Sequence, residues 1–302
     1  TCQLSDLHDW SVCQMNLRMM IPLKQFFYTV IALALAFTCL MGYIVTLKAM
    51  KGDQLESLKT STSMPGLDFP PHLSSVFINL GSNLDPILPP QNYASSAITL
   101  AFEPIVACNI NPHPLLLVVP AAVSPHSGLT SMYLYNKNGR SSSLSQPSKK
   151  SIWNTGKKDG KLFVVPTVTL RQILQAIPKR IQRIPYLKTD LQGHDWSVIL
   201  SAGDDLRHWP VDYLYTEVYF DLVSTYKDVQ NDFCRDWLPS MKNLGYDLVY
   251  VEKPDKTRLK LDMAVKMCSS SIPQATSKPG NIREGNALWK RQGAIKEQFD
   301  FS

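Results

Sequence analysis

Hydrophobic positions along this chain fall into two regimes. From Phe26 to Leu47 runs an apolar stretch of 22 residues, FFYTVIALALAFTCLMGYIVTL, without a charge or a polar stripe. Wound as a helix it would be about 33 Å long, enough to cross a hydrocarbon core of about 30 Å. A buried helix of a soluble domain would keep one polar face, so residues 26–47 read as a transmembrane helix. The stretch is longer than the apolar region of a signal peptide, and no clean small-x-small cleavage site follows it. Residues 1–25 form a stub ahead of it, in which Met15, Met19 and Met20 are candidate starts. Arg18 and Lys24 before the span nearly balance Lys48 and Lys51 after it, so the positive-inside rule sets no orientation. Nearness to the start favours a type II signal anchor, and with it a single-pass protein of the secretory pathway (Golgi or endoplasmic reticulum).

Residues 48–75 are polar, Ser/Thr-rich and marked by prolines, and read as a stalk or linker. From Val76 short apolar runs alternate with turn residues. Val76–Leu80, Ala97–Phe102 and Leu115–Val123 read as strands, the first running into Gly81-Ser82-Asn83 and the second into Glu103-Pro104. Thr169 and Gln172 form a capping box, and Leu170, Ile173, Leu174 and Ile177 make the apolar stripe of a helix that Pro178 ends. Tyr186–Asp190 is a strand, followed by the turn Leu191-Gln192-Gly193 and a helix over 194–202 stopped by Gly203. Tyr213–Phe220 is a further strand, and 231–244 is helical with Pro239 kinking or restarting it. Tyr246–Val251 and Leu259–Val265 are expected to pair as an antiparallel hairpin. The domain is thereby placed at 76–268, and 269–302 is read as a polar tail with a short helix near Trp289.

Composition narrows this picture without changing it. With 302 residues, 44% hydrophobic and 19% charged, the chain can bury a substantial core, which excludes global disorder. Proline (21) outnumbers glycine (14), in keeping with rigid turns and interrupted helices. The six cysteines stand singly, with no C-x-x-C pair, which argues against zinc ribbons, thioredoxin chemistry and a disulfide-stapled scaffold. The net charge of +6 is too mild to select a partner. Lys137, Arg140, Lys149, Lys150, Lys157, Lys158 and Lys161 concentrate in a Gly/Ser-rich loop at 136–161. It reads as a solvated loop or, more sharply, as a lid meeting an anionic acceptor. It lacks the interleaved aromatics of a nucleic-acid surface, so no nucleic-acid partner is expected.

Strands alternating with helices predict a mostly parallel α/β sheet, whose ligands lie at the carboxyl ends of the strands. That rule singles out Gly81–Asn83, Glu103-Pro104, Asp190–Gly193 and Glu217. A glycine turn admits a bulky cofactor, and an acid at the end of the next strand can accept both hydroxyls of a ribose; the plainer alternative is a tight turn and a solvated strand end. No G-x-G-x-x-G motif is present, which argues against NAD or FAD.

The runs FINLGSN (77–83), AFEP (101–104), VPAAVS (119–124), SSSL (141–144), VPTVTLRQIL (165–174) and YLKTDLQGHDWSVILSAG (186–203) together resemble the FkbM-type, S-adenosylmethionine-dependent methyltransferases over about residues 76–250. The resemblance implies a Rossmann-like, seven-stranded class I methyltransferase sheet with an antiparallel final strand. It implies S-adenosyl-L-methionine as cofactor, with Gly81, Ser82 and Asn83 at its methionine end, Glu103 and Pro104 at the ribose, and Ala121 and Ala122 beside the adenine. Asp190 would face the reacting centre, with Gln192 and His194 nearby. Asn79 stands where the family usually has an acid facing the cofactor's ammonium group, and Asp85 where it usually has a second glycine. The helices expected after the first two strands are replaced by proline-broken stretches.

Methyl transfer is an in-line displacement that needs a base only when the acceptor is a hydroxyl. Asp190, His194 and Glu217 are the candidate bases; alternatively Asp190 caps a helix, His194 is a first-turn surface residue and Glu217 only lines the pocket. The reading that follows is a membrane-anchored methyltransferase acting on oxygen of a small-molecule, sugar or glycan-like acceptor. The alternatives are a non-catalytic binding or scaffold protein of the same fold, and a transferase using a nucleotide-sugar donor, for which Asp204-Asp205 is the nearest acidic pair.

Overall fold

The computed structural model describes residues 66–105, 109–134, 142–146, 161–209, 211–220, 226, 229–269, 284–297 and 299. The apolar span at 26–47, most of the stalk and most of the basic loop lie outside them. Among the described residues no helix is long and apolar enough to cross a membrane.

One large sheet organises the body from Met64 onward. Its first strands are β1 (Ser75–Leu80), β2 (Ala97–Phe102) and β3 (Leu116–Val119). A second, three-stranded sheet holds β4 (Ala122–Val123), β5 (Gly128–Leu134) and β6 (Lys161–Val168). Helix α1 (Leu170–Ala176) leads to β7 (Ile184–Thr189), then α2 (Asp195–Ala202), α3 (Asp205–His208) and β8 (Val211–Tyr219). A π-helical turn at Phe233–Trp237 runs into α4 (Leu238–Asn243), followed by β9 (Tyr246–Glu252), β10 (Arg258–Leu259), α5 (Leu261–Ser269) and β11 (Glu284–Arg291). The large sheet has the order β10-β9-β11-β8-β7-β1-β2-β3. Strands β3, β2, β1, β7 and β8 are parallel neighbours, whereas β11 is antiparallel to both β8 and β9. This is the expected mixed α/β sheet with its antiparallel strand, widened by β10.

Local chemistry explains the elements that follow the sequence pattern. Thr169 and Gln172 close the capping box of α1, with Leu170, Ile173, Leu174 and Ile177 buried beneath it. Pro239 lies in the first turn of α4, where its missing N–H is harmless, and so restarts the helix after the π-turn. Between β1 and β2 only a 3-10 turn, Gln91–Tyr93, stands where a helix would be. The strands bury Val76, Ile78 and Leu80 under α1 and α2, while Phe77 faces a smaller core with Ile87, Tyr93, Tyr186 and Tyr213. Phe299 closes that second face, its ring centroid 5.3 Å from those of Tyr186 and Tyr213.

Several expectations are corrected. The predicted third strand, 115–123, is two strands in two sheets, broken at Pro120, which cannot donate to a ladder. The predicted hairpin strand Leu259–Val265 is mostly helix: only Arg258–Leu259 pairs with β9, and the residues from Leu261 onward form α5. The polar tail carries β11, whose Gly285, Ala287 and Trp289 are buried at a spacing of two, so Trp289 lies in a strand and not in a helix. Small residues fit there because a Cβ on Gly285 would come 2.8 Å from the Glu252 carbonyl oxygen. The end of the stalk belongs to the body, since Phe69 and Leu73 are in the main core and the Arg180 guanidinium holds the carbonyls of Phe69, Pro70 and Leu73. Two of the single cysteines, Cys234 and Cys268, form a disulfide that ties the π-turn to α5.

Candidate functional site

The loops leaving β1, β2 and β7 enclose an open cleft, walled on the far side by the small sheet. Of the residues predicted for the site, Gly81, Asn83, Glu103, Pro104, Ala122, Asp190 and Gln192 line it; Phe102, Val123, Met132, Ser142, Leu144 and Leu191 join them. Asn79, Ser82, Ala121, His194 and Glu217 are not in its lining.

The reason for Gly81 differs from the one expected. Its φ is +73°, and a Cβ there would stand 2.1 Å from the carbonyl oxygen of Asp190. The close approach that demands glycine is therefore between the ends of β1 and β7, where Asp190 N donates to Leu80 O at 3.0 Å. Gly81 N and Ser82 N both donate to Phe102 O, which turns the chain sharply towards Asn83. Asn83 adopts φ +49°, and its N–H donates to Glu103 Oε2 at 2.9 Å. The other carboxylate oxygen, Oε1, accepts from Ile105 N at 2.9 Å. Glu103 is thus a buried carboxylate that fastens the β1 and β2 loops to each other at the cleft, not a solvated strand end. Asn79 points the other way: its Oδ1 accepts from Ile87 N at 2.9 Å, pinning the β1–β2 connection on the far face of the sheet. An acid there would also accept that N–H, so the substitution removes a charge without removing the anchor.

On the β7 side, Gln192 (φ +52°) is a strap. Its Nε2 donates to Asp190 Oδ1 at 2.8 Å, its Oε1 accepts from the buried Tyr226 hydroxyl at 2.7 Å, and its carbonyl accepts from Ser143 Oγ at 2.9 Å. Asp190 is held at the cleft edge by this strap, and it does not cap the next helix. The N-cap of that helix is His194, which makes no side-chain cap bond, while Asp195 Oδ1 accepts from Leu191 N in the preceding turn at 3.1 Å. His194 bonds Ser145 Oγ through Nε2 at 3.0 Å, and burial holds its pKa down to about 4, so it is a neutral link and not a first-turn surface residue.

Behind Asp190, Glu217 is joined by two acids that the sequence did not single out, Asp195 and Glu284. Burial pushes Asp195 up to about 7, with the charge of Asp190 adding to it. The Thr189 hydroxyl faces this carboxylate and eases the shift, yet neither Asp195 Oδ2 nor Thr189 Oγ1 closes a hydrogen bond. Glu217 is pushed well up by burial and by Asp190, Asp195 and Glu284, while the Tyr219 hydroxyl donates to it at 3.0 Å. Glu284 is raised by burial and by Asp190. The pairing of β7 with β8 brings Glu217 beside Asp190 and Asp195, and Glu284 joins them because β11 lies on the other side of β8, pairing Glu284 with Tyr219. Among the described residues no acidic, histidine or cysteine group has the geometry to hold a metal ion.

Chemically, the cleft combines apolar side chains, Val123, Met132 and Leu144, with the charged and strongly polar groups of Asp190, Glu103 and the β1 loop. A ligand that joins an apolar ring to a hydroxylated sugar and a cationic chain fits that mixture of chemistries. Met132 escaped sequence reasoning because it comes from the hairpin sheet, and Ser142 and Leu144 because they lie in the connection between its strands β5 and β6. Ser142 and Leu144 do lie in SSSL, although that motif does not say which side chain faces the cleft.

The FkbM methyltransferase domain model matches residues 85–248, more than half of the chain. No curated protein and no solved structure matches. This chain belongs to the FkbM methyltransferase family.

Proposed function

We propose that this chain is an S-adenosylmethionine-dependent O-methyltransferase acting on a sugar or glycan-like acceptor. The observation that carries the reading is the convergence of Gly81–Asn83, Glu103, Ala122 and Asp190 on one cleft at the carboxyl ends of β1, β2 and β7. A carboxylate has about four acceptor sites, so Glu103 suits ribose hydroxyls while holding its two backbone N–H groups. The cofactor supplies a methyl group activated on a sulfonium. Asp190, steadied through Oδ1 by Gln192, presents Oδ2 to an acceptor hydroxyl and takes its proton as the oxygen attacks. His194, neutral and bonded to Ser145, fixes the wall of the cleft and takes no part as a base.

The body is read as anchored by residues 26–47 with type II orientation, its cleft on the lumenal side. The Cys234–Cys268 disulfide supports that side, because cytosolic thiols are kept reduced. The 3-10 turn that stands in place of a helix between β1 and β2 favours the second reading, a non-catalytic binding protein of the same fold. Calorimetric titration of the full chain with S-adenosylmethionine and S-adenosylhomocysteine is the primary test, followed by transfer of labelled methyl to glycans and small sugars. Micromolar binding with labelled ether products supports the enzyme. Binding without transfer leaves the scaffold reading, and absence of binding overturns both cofactor-based readings.

A further inference from the structure

The turn after β7 has its side chains ordered from outside itself. Gln192 lines the cleft beside Asp190, and a glutamine left to itself there would move among many rotamers. Its backbone sits at φ +52°, and Ser143 Oγ donates to its carbonyl at 2.9 Å. The side-chain amide is held at both ends: Nε2 donates to Asp190 Oδ1 at 2.8 Å, and Oε1 accepts from the Tyr226 hydroxyl at 2.7 Å. An ionised carboxylate only accepts hydrogen bonds, so the amide must give Asp190 its NH2 end and turn its oxygen towards a donor. Tyr226 is that donor.

Packing places Tyr226 for this task. It comes from the connection between β8 and the π-turn, 34 positions beyond Gln192, and is 1% exposed. Its ring lies against the backbone of Gly193, whose φ is +98°. A Cβ there would come 3.1 Å from Tyr226 Cδ2 and 3.2 Å from Val229 Cγ2. The Gln192-Gly193 turn is therefore shaped to receive the ring, and a buried ring with only two side-chain torsions holds its hydroxyl in one place. The line of bonds from Tyr226 through Gln192 ends on Oδ1 of Asp190, which lines the cleft.

We propose that Tyr226 is a positioning residue for Asp190, acting through the Gln192 amide to hold the carboxylate with Oδ2 towards the acceptor. This rests on the reading of Asp190 as the base that takes the acceptor's proton. The test compares Tyr226→Phe in the full chain with Tyr246→Phe, which removes another buried hydroxyl, bonded to Val211 O at 3.1 Å on a strand three places from β7. Gln192→Ala is added, alone and combined with Tyr226→Phe. The measurements are melting temperature, Kd for S-adenosylhomocysteine, turnover of labelled methyl onto the sugars that the wild type methylates, and the proton NMR shift of the Gln192 side-chain amide, assigned by its loss in Gln192→Ala. Both tyrosine variants are expected to melt lower. Only Tyr226→Phe should move the amide signal upfield and lower turnover, by about tenfold, with the Kd within about twofold of the wild type's. Added to Gln192→Ala, Tyr226→Phe should bring no further loss of turnover. An unchanged amide signal or unchanged turnover in Tyr226→Phe would overturn the assignment, as would losses that multiply in the double variant. A wild-type chain that binds no S-adenosylhomocysteine or methylates no sugar, or an Asp190→Asn variant with normal turnover, would instead defeat the reading of Asp190 on which the proposal rests.

Discussion

Gly81→Ala gives the most demanding test of how the site is built. The added Cβ would lie 2.1 Å from Asp190 O and 3.0 Å from its carbonyl carbon, both backbone atoms that no rotamer change can move. The ends of β1 and β7 must part by about 1 Å to restore an ordinary contact, which breaks or stretches the Asp190 N to Leu80 O bond. The left-handed conformation at φ +73° adds its own penalty. A non-glycine residue there costs about 1–2 kcal/mol, a lost backbone hydrogen bond about 1 kcal/mol, and residual strain between two central strands about 1–2 kcal/mol. The sum is about 3–5 kcal/mol, or a fall in melting temperature of about 10 °C. Gly245→Ala isolates the conformational part, because Gly245 has φ +84° and nothing within 4 Å of the added Cβ. It should fall by only a few degrees. Calorimetric melting of both variants decides the matter. Equal losses would refute the argument that strand approach, and not conformation alone, requires glycine at position 81.

Asp190→Asn should lower methyl-transfer turnover about 10²–10⁴-fold while leaving the Kd for S-adenosylhomocysteine nearly unchanged, and normal turnover would remove its role as base. Folded-state burial keeps protons on Asp195, Glu217 and Glu284 where the unfolded chain has released them, so these acids make stability fall as pH rises, Asp195 between about 3.8 and about 7. His194, held down to about 4, works oppositely and makes stability fall as pH drops from 6.5. Asp195→Asn should therefore flatten the loss on the alkaline side, and a melting profile between pH 5 and 8 that stays as steep as the wild type's would contradict this. Cys234→Ser opens a link across 34 residues and should destabilise by about 3–4 kcal/mol, read as a drop in melting temperature equal to that of the wild type under reductant. Removing 284–302 takes β11 from between β8 and β9, and the product should be aggregated; a soluble, cooperatively melting product would show that the strand is dispensable.

Much of the cofactor side of the cleft was readable because its signals are local. A glycine turn after VFINL, an acid after AITLAF and the capping box at Thr169 each declare themselves within a few residues. What escaped depends on distant partners. The outer face of the β5–β6 hairpin exposes Leu129, Leu162 and Val164, so the strands lack the apolar-in, polar-out alternation that marks a half-buried sheet. Strand β11 does alternate, but with glycine and alanine at two of its three buried positions, and their small size reflects neighbours that the sequence does not display. The grouping of acids behind Asp190 was invisible for the same reason. The raised pKa of Glu217 arises from burial and from Asp190, Asp195 and Glu284, the last lying 67 positions further along. The basis for expecting glycine at position 81 also changed, since its crowding neighbour is the carbonyl of a residue more than 100 positions away.

The position of β11 also dictates an order of events during synthesis. It follows β9 in the chain yet sits between β9 and β8 in the sheet, pairing with both. Strands β8 and β9 therefore cannot close on each other as they emerge. Until Glu284–Arg291 arrives, each offers an open edge, and the surface that receives Trp289 beside Phe233 and Trp237 stays exposed. The half of the sheet bearing β1, β2 and β7 can assemble earlier, whereas the half bearing Glu217 is sealed only by this late arrival. Such a chain is vulnerable to edge-to-edge misassembly throughout its translation and depends on being shielded until its last strand is in place.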